Sequence, residues 1–195
     1  MIEAWAARPP RFAVMERKMS ASHPSAKPRF FGKHRGTVVN AFDPLQIGRV
    51  IVEVPDVLGL TPSSWAMPCV PVAGPQSGAF VVPPVGAHVW VEFEAGDPER
   101  PIWTGGFWTN AGEVPASASA FPATMVLQTT GNAALVVSDA PPTPAAGGVI
   151  LKSAGGATIV VNDAGVFISN GRGATITLVG PTVDINAGGL TVDGA

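Results

Sequence analysis

Few residues in this chain are of the types that do chemistry, and their spacing is poor for it. Glu92 and Glu94 lie two apart in a stretch that alternates like a strand, which places both carboxylates on one face roughly 6–7 Å apart. Paired carboxylates at about that separation serve glycoside hydrolysis. Here they run into an acidic turn, Gly96-Asp97-Pro98-Glu99, and read better as the solvated face of a strand. His34 and His88 stand alone, without the H-x-x-x-H or H-x-H spacing of a zinc site. The single cysteine, Cys69, has no partner for a disulfide and no metal-ligand neighbour, and is expected in the core. The G-x-S-x-G nucleophile motif is absent. Gly171-Arg172-Gly173 precedes no helix, so its glycines serve a turn and not a phosphate loop. No catalytic residue, cofactor or metal ligand is expected, and the chain reads as a non-enzyme.

The elements that would position any site are β-strands. Gly (23) and Pro (20) together exceed a fifth of the 195 residues and charged residues are only 13%, which leaves no long helix-forming stretch. An apolar content of 46% argues for a folded chain rather than low-complexity disorder. No run approaches a transmembrane span, and residues 1–30 hold no apolar core of signal-peptide length, so assembly in the cytoplasm is expected. Thirteen of the fourteen aromatics precede Pro122, which places the larger core in the first half. Strands are expected over Gly36–Phe42, Arg49–Val54, Ala66–Pro71, His88–Glu94 and Ile102–Trp108, and five such strands in about 75 residues suit a small closed barrel. In His88–Glu94 the alternation is explicit, with Val89, Val91 and Phe93 on one side.

Beyond this block the pattern changes. From Gly147 onward short apolar stretches return at near-regular intervals: Ile159, Ile168, Ile176, Ile185 and Val192 are nine, eight, nine and seven apart. Gly, Asn, Asp and Ser fill the gaps, as tight turns require. Segment 124–195 has one aromatic, Phe167, and turns of eight or nine residues enclose too little for a core of their own. Sharing the apolar face among three copies solves this and removes open strand edges. The expected axis residues are Ile159, Val161, Ile168, Ile176, Leu178, Val183, Ile185, Leu190 and Val192. Residues 139–148, DAPPTPAAGG, read as a loop on the outside. The expected organisation is a basic arm over 1–29, a barrel over 30–112, a linker over 113–123 and a β-helical shaft over 124–195.

The charge is uneven. Residues 1–35 carry eight of the twelve basic residues and a net +6, against −8 for the remainder. A basic, proline-containing head of this kind orders on a partner or stays solvated. The barrel is acidic around Glu92, Glu94, Asp97 and Glu99, which disfavours a polyanion. Trp65, Trp90, Trp103 and Trp108 are therefore expected in barrel packing and docking against a neighbouring subunit, not in base stacking.

Three motifs carry a family resemblance: R-G-x-V-x-x-x-x-D-P-L-x-x-G-R-V at Arg35–Val50, P-P-x-G-x-x-V-W-V-x-F-E at Pro83–Glu94, and G-D-P-x-R-P-x-W at Gly96–Trp103. With them the chain resembles phage baseplate assembly protein V, the T4-like tail spikes and the VgrG spikes of type VI secretion. The stretch GATITLVGPTVDINAGGLTV (173–192) looks like their β-helical shaft. The resemblance implies an all-β chain, an N-terminal OB-fold barrel followed by a trimeric intertwined β-helix or β-prism. It implies a homotrimer that closes the inner tube, nucleates the baseplate hub and pierces the target envelope on contraction. A PAAR-type tip protein would sit at the C-terminal end, near Leu190–Val192, and the target membrane would be met only in passing. The chain lacks the inserted lysozyme domain of the T4-like spike and the fused hub domain of VgrG, so the hub or tube initiator is a separate protein. Arg8, Arg11, Arg17 and Lys18 are the candidate contacts to it. The alternative is an OB-fold module on a β-stalk that binds carbohydrate or nucleic acid.

Overall fold

The computed structural model describes residues 27–118 and 124–193. These fall into two compact units that divide between Gly106 and Phe107. The first contains β1 (His34–Asn40), β2 (Ile51–Glu53), a single helical turn α1 (Pro55–Leu58), β3 (Met67–Pro68), a small hairpin of β4 (Ala73–Gly74) and β5 (Ser77–Gly78), β6 (His88–Phe93) and the start of β7 (Pro101–Phe107). Its main sheet has the order β2-β1-β6-β7-β3, antiparallel except for β3 beside β7. Isolated bridges from Val50 to Ala66 and from Glu53 to Pro62 join β2 to the segment leading into β3, so the sheet curls into a half-barrel.

The sequence explains this core. Val89, Val91 and Phe93 alternate inward along β6 and meet Val38, Val50, Val52, Val54 and Trp103. β-branched valine suits the pleated, half-buried strand. Gly36 lies where β1 is flanked by both neighbours: a Cβ there would come within 2.8 Å of a Val91 methyl and 3.2 Å of the Glu53 carbonyl. Trp103 is buried and its indole N–H donates to the Gly48 carbonyl at 3.0 Å, so its polar atom enters the core paired.

The second unit is an eight-stranded antiparallel meander in sequential order: β8 (Thr124–Gln128), β9 (Ala134–Thr143), β10 (Ala146–Lys152), β11 (Thr158–Asn162), β12 (Gly165–Ser169), β13 (Thr175–Val179), β14 (Thr182–Ile185) and β15 (Leu190–Asp193). Its two margins differ. On one, the loops after β8, β10 and β12 open with Thr129, Ser153 and Asn170, and each side chain accepts the backbone N–H four residues on, from Ala133, Ala157 and Ala174. On the other, two residues suffice, Asp163-Ala164 and Gly180-Pro181.

Three expectations are corrected here. Residues 139–148 are not a loop: they continue β9 and β10 as a hairpin with a bulge between Ser138 and Thr143, clasped by the Asn162 side-chain amide donating to the Thr143 and Ala146 carbonyls. The prolines fall in the bulge and at the turn, where no ladder N–H is needed. Cys69 is exposed, because it follows the two-residue edge strand β3 rather than lying within the sheet. Glu94 is not on the strand with Glu92: it opens a 3-10 turn with Ala95 at positive φ.

Candidate functional site: an assembly face

Strand register in the second unit builds one continuous apolar surface. Cα pairing runs Leu127, Leu135, Leu151, Ile159, Ile168, Ile176, Ile185, Leu190 across all eight strands. A second row, two residues along each strand, runs Met125, Val137, Val149, Val161, Val166, Leu178, Val183, Val192. Because strand side chains alternate with period two, both rows lie on the same face. Eleven of these residues remain exposed in the single chain, which therefore does not cover its own apolar face. The opposite face differs. Val136 and Val160 are buried, and toward the C-terminal strands it carries half-buried Thr175, Thr177 and Asp184.

All nine expected axis residues fall on these rows. Val192 pairs with Val183 and not with Ile185, so the seven-residue step in the sequence was a change of row. The rows also take in Met125, Leu127, Leu135, Val137, Val149, Leu151 and Val166, which the sequence marks as short apolar stretches, Met125–Leu127 and Leu135–Val137 among them, but which the expected axis set left out.

In the first unit the acidic groups are partnered structurally. Glu92 pairs with Lys33 at 2.9 Å, whose ammonium also donates to Thr104, and Glu94 pairs with Arg100 at 3.0 Å. Among the described residues no group of three or more His, Cys, Asp or Glu is placed to hold a metal ion. His34 forms a three-ring cluster with Phe30 and Phe93, whose centroids lie 6.3 and 5.6 Å from its own. His88 lies apart from it on β6, with Nδ1 3.4 Å from the Thr37 hydroxyl.

Asp43 organises the loop between β1 and β2, a role that the D-P-L-x-x-G-R motif carried without declaring it. Its buried carboxylate accepts the backbone N–H of Leu45, Ile47 and Arg49, and both Nε and an Nη of Arg49, the last at 2.6 Å. The hydrogen-bonded Arg49 guanidinium, aided by those N–H groups and opposed by burial, holds this carboxyl well below the usual carboxylate range. Arg49 in turn lies over the Trp65 ring, 5.2 Å from its centroid. Trp90 is half-buried with the Arg35 guanidinium 5.5 Å above its ring, and Trp108 is 61% exposed beyond the division between the units. A cleft of about 350 Å³ opens beside Trp103, lined by Ile47, Met67, Val70, Val72 and Phe80–Val82, with no charged residue in its walls. Arg8, Arg11, Arg17 and Lys18 lie outside the described residues. No described helix is long and apolar enough to cross a membrane.

Comparison with known families matches both units. Residues 34–108 match the type VI secretion system/phage-baseplate injector OB domain. Residues 124–191, which contain nearly all of the two apolar rows, match the phage baseplate V C-terminal trimerisation domain. A search of curated proteins finds no match.

Proposed function

Because the chain belongs to the phage baseplate V family of tail and injector spikes, with the injector OB domain and the trimerisation domain in that order, we propose that it is the non-enzymatic central spike of a contractile tail or injection particle. Three copies associate through the second unit, with the two apolar rows turned to a common axis. The OB unit closes the inner tube and seeds the hub, a separate protein met through the basic arm at Arg8, Arg11, Arg17 and Lys18. The arm ends near residue 29, the barrel near 112, and residues 113–123 link it to the shaft. A PAAR-type tip sits at the C-terminal end near β15, and contraction drives this end through the target envelope.

One observation carries the reading: the segment that matches a trimerisation domain presents two unbroken apolar rows that its own chain leaves uncovered. Covering them is worth about 25 cal/mol per Å², repeated at every strand. The solution mass of the purified chain tests it. Three copies of 19.9 kDa, resistant to SDS until boiled, is the expected result. A clean monomer would overturn the shared axis. For the arm, particles that assemble intact from a chain beginning at Phe30 would show that it is not the hub contact.

A further inference from the structure

The OB unit carries an exposed apolar surface that its own fold does not use. From Val57 to Val91 the sequence contains no Asp, Glu, Lys or Arg, yet residues 71–81 are all exposed. Val72, Phe80 and Val81 are 60%, 70% and 69% exposed and stand around the cleft beside Trp103, with Ile47 and Met67 on its other walls. The arm formed by residues 71–82 lies against the barrel at Gly48: a Cβ there would lie 3.4 Å from the Phe80 ring and 3.6 Å from a Val82 methyl. Together these five residues keep much of their apolar surface in water around one cleft, the kind of patch that marks an interaction site.

We propose that this cleft and the 71–82 arm form a second interface between copies of this chain, at which the three OB units of the trimer pack on one another. The inference rests on the trimer reading and adds to it a contact outside the trimerisation segment. An exposed segment without a single charge, residues 71–81, beside a cleft with no charged residue in its walls suits an obligate interface, made once at assembly, more than a transient one. Three copies tethered through residues 124–191 hold their OB units at millimolar-scale effective concentration, so a patch smaller than the roughly 800 Å² per partner of free-standing complexes suffices. With the copy number set at three by the trimerisation segment, a contact between neighbouring OB units closes as a ring of three.

The test uses the full chain in a Cys69→Ser background, with a single reporter thiol at Phe80→Cys or, should that variant misfold, at Val81→Cys. Maleimide labelling is compared with Asp56→Cys on α1, and the mass of each sample is measured first. In the trimer the Phe80→Cys thiol is expected to label on the order of tenfold more slowly than Asp56→Cys. Adding Ile176→Asp to break the trimer should bring it to the reference rate. A trimer in which both thiols label alike would overturn this interface and leave the shaft trimer standing. Slow labelling that persists in the dissociated chain would also overturn it, since the cover would then be the chain itself. A monomeric mass before any substitution in the shaft would remove the trimer reading as well.

Discussion

Replacing Ile176 by aspartate is the sharpest test of which face of the meander lies inside. Ile176 sits in the middle of the first apolar row, paired with Ile168 on one side and Ile185 on the other. It is 38% exposed in the single chain, which leaves about 70 Å² of apolar surface for a partner to cover, worth about 1.7 kcal/mol per copy and about 5 kcal/mol per trimer. Aspartate forfeits that and places three carboxylates around one axis. Each costs several kcal/mol to desolvate, and none has a cation within the rows to meet it. The total exceeds about 10 kcal/mol per trimer, or seven powers of ten in the association constant. Light scattering should therefore report 19.9 kDa for Ile176→Asp at concentrations where the parent is three times that. Val179→Asp, three residues along β13 on the opposite face and also exposed, should remain trimeric. A trimer from Ile176→Asp would refute the axis assignment. Dissociation of Val179→Asp alone would show that the other face is the inner one.

Three further outcomes are expected. The folded-state carboxyl of Asp43 titrates below its unfolded value of about 3.9, so its contribution to stability is complete above about pH 4 and is lost as pH falls toward the folded value. The thermal midpoint of the parent should therefore fall more steeply below pH 4 than that of Asp43→Asn, and parallel slopes would refute the role given to this carboxylate. Trp103→Phe strands the buried Gly48 carbonyl and should cost about 1–3 kcal/mol in urea unfolding, whereas an unchanged midpoint would mean that the indole N–H is dispensable. Gly148→Ala puts a methyl against the Val161 carbonyl at a φ of +69°, a strain of at least about 1–3 kcal/mol. It should abolish SDS resistance of the trimer, and full resistance would show that the bulge between β9 and β10 is adaptable.

How much of this was legible in the sequence depends on the range of the interaction that fixes each feature. The later shaft strands were read correctly because their alternation is local: Ile-x-Val or Ile-x-Leu flanked by Gly and Asn fixes strand, face and turn within about nine residues. Val89, Val91 and Phe93 were legible for the same reason. The β9–β10 hairpin was not, because the clasp that holds Pro141 and Pro142 within it comes from Asn162, on the next strand. Nor was Cys69, whose exposure follows from β3 being an edge strand only two residues long, a fact of topology rather than composition. Asp43 stood in a quoted motif, but its five hydrogen bonds converge only once the loop closes on Arg49.

The unequal margins of the meander have a bearing on how such a shaft changes length. From β10 to β14 each strand turns back through either a two-residue turn or a loop whose first side chain locks its span, so register there is set within the hairpin, whereas Asn162 and Asn186 tie the β9–β10 hairpin and the β14–β15 loop to a neighbouring strand. Inserting one residue into a strand would turn every side chain beyond it to the wrong face. Inserting a complete pair of strands with its two turns, about 17 residues at the spacing seen here, would leave every other pairing in place and extend both apolar rows by two residues each. Length in this molecule is thus a quantity that changes in steps, and the step is a hairpin.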